Sequence, residues 1–256
     1  MDKELWGLLD PSAWDRVLVV SPHFDDAALG AAHLLSSHPG STVITVMAGR
    51  PASYPDEVTT WDAAAGFVTG DDVVAARRQE DLAAMASLGA DPVWLDFPDH
   101  QYLAPADRPT AADVAPVLEA AVVAARPSAV FLPMGLAHPD HVLTHHAGLL
   151  VREGLSDEGA GPEWFCYEDA GYKHLPGMLA RRIATLFGRG LWPTPAVVPI
   201  RPDMEAKGTA IQLYASQVGP LERDFHLSEQ LAAAVPEQYW RLSPPPPGWD
   251  GLSSAA

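Results

Sequence analysis

The fold is decided by the stretch Arg16-Val-Leu-Val-Val-Ser-Pro-His-Phe-Asp-Asp26, which the helical segment 27–36 follows directly. Its β-branched run is typical of a short buried strand. Further strands are predicted at 41–48, 92–97, 128–134 and 163–167, and helices at 71–88, 111–125 and 141–155. Strands that alternate with helices predict an α/β fold, with a mostly parallel sheet and helices on both faces.

The pattern is less regular after residue 175, where one further helix is predicted at 204–217. We expect residues 1–242 to form a single α/β domain and residues 243–256, which begin Ser-Pro-Pro-Pro-Pro-Gly, to form a flexible C-terminal tail. The segment between Gly49 and Gly70 is rich in Pro, Gly and Asp. Loops of this length tend to be functional or mobile.

Composition excludes several classes of function. The 256 residues include 16 Lys and Arg against 33 Asp and Glu, a formal charge of −17. So acidic a chain is a poor candidate for nucleic acid or an anionic membrane. No apolar run approaches the roughly 20 residues of a membrane helix, and no secretory signal is visible, so we expect a cytoplasmic protein without membrane insertion. The single cysteine, Cys166, rules out an internal disulfide and a thiolate-rich zinc site.

Two clusters of His and Asp follow the ends of predicted strands. His23 and Asp26 come after the first strand, and His138-Pro-Asp-His141 comes after the fourth. Ligands bind beyond the carboxyl ends of parallel strands. Two imidazoles, one carboxylate and an open position are typical of a catalytic zinc, so we expect a mononuclear site made by His23, Asp26 and His141. The adjacent Asp25 would act as general base towards the water on the metal.

Simpler interpretations exist for each cluster. Asp25 and Asp26 could only cap the helix that they precede, and His138-Pro-Asp140 could cap the following helix. The two clusters at matching strand ends favour the metal site. The sequence has neither a Walker or GxGxxG phosphate loop nor a GxSxG nucleophile elbow.

The same motifs resemble those of a known family. Ser21-Pro-His-Phe-Asp-Asp26 is similar to the (A/S)-P-H-x-D-D motif of the LmbE-like, or PIG-L, family of zinc-dependent N-deacetylases, and His138-Pro-Asp-His141 looks like its H-P-D-H motif. Arg77-Arg-Gln-Glu80 resembles the family's R-x-x-E motif, and Tyr167-Glu-Asp169 one of its weaker late motifs. The chain departs from the common H-P-D-D-E form at Ala27, where that form has glutamate, and at Phe24, where it has proline.

The resemblance implies a Rossmann-like fold and removal of an N-acetyl or other N-acyl group from an amino sugar or glycoconjugate. It implies one Zn²⁺ per chain, held by His23, Asp26 and His141, with Asp25 as general base. His138 would stabilise the oxyanion or protonate the leaving amine. Arg77 and Asp99 would contact the sugar. Aromatic loop residues suit a sugar or acyl group, or could merely anchor the long loop: Tyr54, Trp61, Phe67, Trp94 and Tyr102.

The sequence leaves two alternative functions open. The chain could be a metal-dependent amidase acting on a small amide that is not a sugar, or a non-catalytic α/β binding module with a vestigial metal site. The spare carboxylate of Asp25 favours catalysis, because a structural site does not need it. The sequence leaves the oligomeric state open, a homo-oligomer included.

Overall fold

The computed structural model describes residues 9–156, 161–234 and 236–245. Within these residues the strands are β1 (Val17–Ser21), β2 (Thr42–Thr45), β3 (Asp91–Trp94), β4 (Ala129–Pro133), β5 (Glu163–Tyr167), β6 (Trp192–Ala196) and β7 (Tyr239–Ser243). The helices are α1 (Asp26–Ser37), α2 (Thr60–Ala64), α3 (Val73–Leu88), α4 (Ala111–Ala125), α5 (Pro139–Ser156), α6 (Met178–Gly188), α7 (Met204–Leu213), α8 (Ala215–Phe225) and α9 (Leu227–Ala232).

The described strands form one sheet in the order β3-β2-β1-β4-β5-β7-β6. The pairs β3–β2, β2–β1, β1–β4 and β4–β5 are parallel, whereas β7 runs antiparallel to β5 and β6. The predicted α/β, Rossmann-like, mostly parallel fold is therefore confirmed. The chain order reverses between β1 and β4, and a doubly wound sheet places its ligand at such a switch point.

The hydrophobic core lies on both faces of the sheet, which explains why the central strands are almost entirely apolar. Every residue of β1 and β4 is buried. Val17 and Val19 belong to one core cluster, and Leu18 and Val20 to the other. This alternation follows from the period of two along a strand.

The C-terminal third differs from the sequence prediction. The expected single helix at 204–217 is divided into α7 and α8 at Tyr214, whose backbone leaves the helical region (φ −84°, ψ 60°). The buried Tyr214 hydroxyl donates to Asp81 on α3, so a tertiary contact accompanies the break. Helices α6 and α9 and strands β6 and β7 were not predicted. The prolines in Trp-Pro-Thr-Pro-Ala of β6 are tolerated because this strand lies at the sheet edge.

The predicted tail is mostly outside the described residues. Strand β7 ends at Ser243, and residues 246–256 are not described. The assignment of residues 1–242 to one domain stays a prediction. No helix in the described part of the chain is long and apolar enough to cross a membrane.

Candidate metal centre and active site

The switch point between β1 and β4 brings the two sequence clusters together. His23 lies two residues beyond β1, and α5 begins at Pro139, between His138 and His141. The turn after β1 is closed by Ser21, whose hydroxyl donates to the His23 carbonyl (2.6 Å) and accepts from the Ala27 N–H (3.0 Å). Clusters separated by more than 100 residues in the chain therefore share one pocket.

His23 and His141 converge on one carboxylate oxygen. Asp26 Oδ2 lies 3.2 Å from His23 Nδ1 and 3.2 Å from His141 Nε2. Metal–ligand bonds of roughly 2.0–2.2 Å that meet at tetrahedral angles hold their donor atoms roughly 3.3–3.6 Å apart. The spacing of these three predicted ligands is therefore close to that required by a tetrahedral metal.

Each of these imidazoles is also bound by a second carboxylate through its other ring nitrogen. His23 Nε2 lies 3.1 Å from Asp140 Oδ2, and His141 Nδ1 lies 2.5 Å from Asp169 Oδ1. Asp169 is fixed in turn by the backbone N–H of Leu136 (3.0 Å). Metal-binding histidines have such a partner almost always, because it sets the tautomer and the ring orientation. Asp140 and Asp169 lie within the motifs at His138–His141 and Tyr167–Asp169, but neither motif alone indicates this supporting role.

The electrostatics of the pocket favour a positive charge. Burial lowers the pKa of both imidazoles, but the neighbouring carboxylates outweigh it. Asp26 and Asp169 raise the pKa of His141 to about 9, and Asp140 and Asp26 raise the pKa of His23 well above its usual value. A divalent cation would take the place of the extra protons that the imidazoles of His23 and His141 carry without a metal. This donor set therefore fits a metal ion.

His138 faces the same point. Its ring centroid lies 4.9 Å from that of His23 and 5.3 Å from that of His141, and the three rings have donor atoms within 4.8 Å of one another. The backbone N–H of Asp140 donates to His138 Nδ1 (3.3 Å). The proton of a neutral His138 ring therefore resides on Nε2.

Asp25 occupies the N-cap position of α1 but makes no side-chain capping hydrogen bond. Its carboxyl group instead lines the cavity beside Asp26. Burial, reinforced by the charge of Asp26, raises the pKa of Asp25 to about 6. A carboxylate with a raised pKa and no structural bond to the helix end is suited to accepting a proton.

The pocket opens into a cavity of about 350 Å³, a size typical of small-molecule sites. Besides the His and Asp groups, its wall includes aromatic and amide side chains from five segments of the chain: Phe24, Trp61, Gln101, Tyr102, Tyr172, Gln217 and Phe225. The indole of Trp61 donates to Gln217 (2.9 Å), which joins the long loop after β2 to α8. The long loop thus forms part of the cavity wall.

Arg77 lines the cavity from α3, but its guanidinium already has a partner. Nη2 donates to Asp62 Oδ1 at 2.8 Å, and the hydroxyl of Tyr102 donates to Asp62 Oδ2 at 2.8 Å. The other motif residue, Glu80, accepts from the backbone and hydroxyl of Ser216. The R-x-x-E motif therefore joins α3 to two flanking segments, and Arg77 pairs with neither Glu80 nor Asp81.

The loop after β3 supplies Asp99 and His100. Asp99 lines the cavity and caps the turn 100–102, accepting from the Gln101 N–H (3.0 Å). The neighbouring His100 also lines the cavity, with its ring centroid 4.6 Å from that of His138. Sequence reasoning gave His100 no role, since it belongs to neither cluster.

Comparisons with known proteins identify a family and similar structures. The family model PIG-L, described as GlcNAc-PI de-N-acetylase, matches residues 18–151, whereas no curated protein matches the chain. A deacetylase of the teicoplanin biosynthetic pathway, solved as a triple mutant, is 25% identical with a TM-score of 0.70, covering 91% of this chain and 99% of that chain. The A40926 pseudoaglycone deacetylase is 26% identical with a TM-score of 0.69, covering 90% and 98%.

A more distant structure shares the fold alone. The N,N'-diacetylchitobiose deacetylase from Pyrococcus horikoshii is 18% identical with a TM-score of 0.60, covering 91% of this chain and 85% of that chain. The motifs that carry the resemblance at Ser21–Asp26, Arg77–Glu80 and His138–His141 all lie within the matched residues. Because the match extends over more than half of its length, the chain belongs to the PIG-L family.

Proposed function

We propose that the chain is a zinc-dependent hydrolase that removes an N-acetyl or other N-acyl group from an amino sugar or glycoconjugate. The observation that carries this proposal is the convergence of His23 and His141 on Asp26, with a second carboxylate behind each ring. The two relatives that are 25% and 26% identical to the chain are a deacetylase of the teicoplanin biosynthetic pathway and the A40926 pseudoaglycone deacetylase, which supports an N-acyl glycoconjugate as substrate.

His23, Asp26 and His141 would hold one zinc ion per chain. When bound, zinc supplies a Lewis acid for the amide carbonyl and lowers the pKa of a coordinated water to about 7. Asp140 and Asp169 keep the two imidazoles in the tautomers that present Nδ1 of His23 and Nε2 of His141 to the metal position.

Asp25 accepts the proton of the attacking water. Its carboxyl group lines the cavity next to Asp26 and is not used as a cap, so it can turn towards the reacting atoms. The environment raises its pKa to about 6, which leaves it ionised at neutral pH and still basic enough to hold a proton during the reaction.

His138 stabilises the oxyanion that forms on the amide carbonyl. Because its Nδ1 accepts from the Asp140 backbone, the neutral ring presents an N–H at Nε2. A neutral donor fixed in this way costs no reorganisation when charge develops on the substrate.

The sugar ring would lie on the side of the cavity formed by the loops after β2 and β3. There Asp99 offers a carboxylate and Arg77 a guanidinium held by Asp62, with Trp61 and Tyr102 as apolar surfaces. Planar rings suit the apolar face of a sugar, and charged groups suit its hydroxyls.

The proposal is tested by metal analysis of the purified protein, followed by an amine-release assay on a panel of N-acyl amino sugars and simple N-acyl amines. We expect about one zinc per chain and release of amine from at least one sugar. Release only from simple amides would favour an amidase acting on small non-sugar amides. Metal without amine release from any compound would favour a binding module.

Two variants separate metal binding from chemistry. Asp25→Ala removes the base and keeps the ligands, so it should retain zinc and lose roughly 10²–10⁴ in kcat. His138→Ala should retain zinc and lose about 10²–10³ in kcat, because it removes one oxyanion contact. Loss of zinc in either variant would contradict the assigned role.

A further inference from the structure

His100 is held in place by two carboxylates that belong to different segments of the site. Its Nδ1 lies 3.1 Å from Asp99 Oδ1 and 3.0 Å from Asp140 Oδ2. Its backbone N–H also donates to Asp140 Oδ2 (3.2 Å), the oxygen that accepts from His23. The His100 ring is therefore fixed relative to the proposed metal ligands.

The ring lies where the two halves of a substrate would meet. On one side it contacts His138, which we assign to the carbonyl oxygen. On the other side its own loop continues into Gln101 and Tyr102, which line the part of the cavity assigned to the sugar. The amide nitrogen joins the acyl carbon to the sugar, so it has to lie between these two groups.

The other ring nitrogen of His100 is available for chemistry. With Nδ1 engaged by both carboxylates, Nε2 has no hydrogen-bond partner among the residues that the structure describes, and the side chain is 25% exposed on the cavity wall. We propose that His100 is the general acid of the reaction and that it donates its Nε2 proton to the leaving amine. This inference rests on the proposed hydrolase function.

Attack of water on the acyl carbon gives a tetrahedral adduct, while Asp25 takes one proton of that water. Collapse of the adduct breaks the C–N bond, and the electron pair that stays on nitrogen takes the Nε2 proton of His100. The products are a carboxylic acid and a free amine, and His100 regains a proton from solvent as Asp25 releases one.

The surroundings of His100 support this assignment. The hydrogen bonds that His100 donates to Asp140 and Asp99 raise the pKa of His100 to about 9, so the ring carries its proton at neutral pH. His138 is less suited to the step. Its Nδ1 accepts a hydrogen bond from a backbone N–H, which favours the neutral ring with its single proton on Nε2. In this mechanism His138 donates a hydrogen bond to the oxyanion, and His100 donates a proton to the leaving amine.

The decisive variant is His100→Asn. Its side-chain amide nitrogen can occupy the position of Nδ1 and keep the contacts with Asp99 and Asp140, while the Nε2 proton is lost. The matched control is His174→Gln, which changes an exposed histidine outside the metal cavity. Zinc content and melting temperature are measured for both variants and for the wild type.

The kinetic readout is a series of N-acetyl amines whose leaving amines range from weakly basic nitroanilines to an amino sugar. A weakly basic amine leaves without prior protonation, whereas an amino sugar needs the acid. We expect His100→Asn to lose about 10²–10³ in kcat on the amino sugar and less than about tenfold on the nitroanilide. Imidazole added to His100→Gly should restore at least about tenfold of the activity on the amino sugar.

Three outcomes would overturn the inference: equal losses across the series, no rescue by imidazole, or loss of zinc from His100→Asn, since that loss would assign His100 to the metal site. A wild-type protein that releases no amine from any compound refutes the proposed function itself. An active wild type with an unimpaired His100→Asn variant refutes only the role of His100.

Discussion

Removal of the Asp62 carboxylate should destabilise the protein severely. Asp62 Oδ1 accepts from Arg77 Nη2 at 2.8 Å, and the two side chains are only 3% and 7% exposed. Asp62→Ala leaves the guanidinium buried without its counter-charge and takes the acceptor from the Tyr102 hydroxyl. Breaking one partner of a buried ion pair costs about 3–5 kcal/mol. For a chain of this size, that loss lowers the melting temperature by roughly 6–20 °C.

The assay is urea unfolding followed by circular dichroism, with Glu57→Ala as control. Glu57 is an exposed acid in the same loop, and its replacement should change the free energy of unfolding by less than about 0.5 kcal/mol. The double variant Asp62→Leu with Arg77→Met should recover most of the loss, because it removes both charges. A loss below about 1 kcal/mol in Asp62→Ala would refute the view that this pair anchors the loop.

Three further predictions concern the site and its support. Arg77→Ala should raise KM for an N-acyl amino sugar far more than for a simple N-acyl amine if the guanidinium contacts the sugar; equal changes would leave Arg77 with a structural role alone. Asp169→Asn should weaken zinc binding by about 10–100-fold in a chelator competition, and unchanged affinity would contradict its role behind His141. Burial raises the pKa of Asp81 to about 6, although two hydrogen bonds oppose this shift. Between about pH 4 and 6 the folded state therefore binds more protons than the unfolded state. The contribution of Asp81 to stability should therefore fall as pH rises through that window, and the slope of unfolding free energy against pH should be more positive in Asp81→Asn than in the wild type; an unchanged slope would contradict this origin.

Much of the fold follows from local signals in the sequence. Helix α4 and strand β5 begin and end where the sequence predicts, and the other parallel strands differ by a few residues at their ends. Hydrophobic periodicity is a local property, so it is readable wherever an element is buried in the usual way. Strands β6 and β7 escape it because β6, at the sheet edge, is interrupted by prolines and β7 is only partly buried.

The position of the candidate site is also predictable from the sequence. His23, Asp25, Asp26 and the cluster from His138 to His141 follow strand ends, and parallel strands bring such ends to one edge of the sheet. The cavity wall includes the side chains of His23, Asp25, Asp26, His138 and His141. It does not include Pro139 or the buried Asp140. Their assigned roles stay predictions until the variants are measured.

The groups that hold the site residues in place are visible only in the folded chain. Asp169 meets His141 across 28 positions of sequence, and Asp140 meets His23 across 117. Asp62 reaches Arg77 from α2, within a Pro-, Gly- and Asp-rich segment that carries no periodic signal. His100 is fixed only once Asp99 and Asp140 both reach its Nδ1. Such contacts form only when separate segments of the chain pack together. The local spacing of residues in the sequence therefore does not predict them.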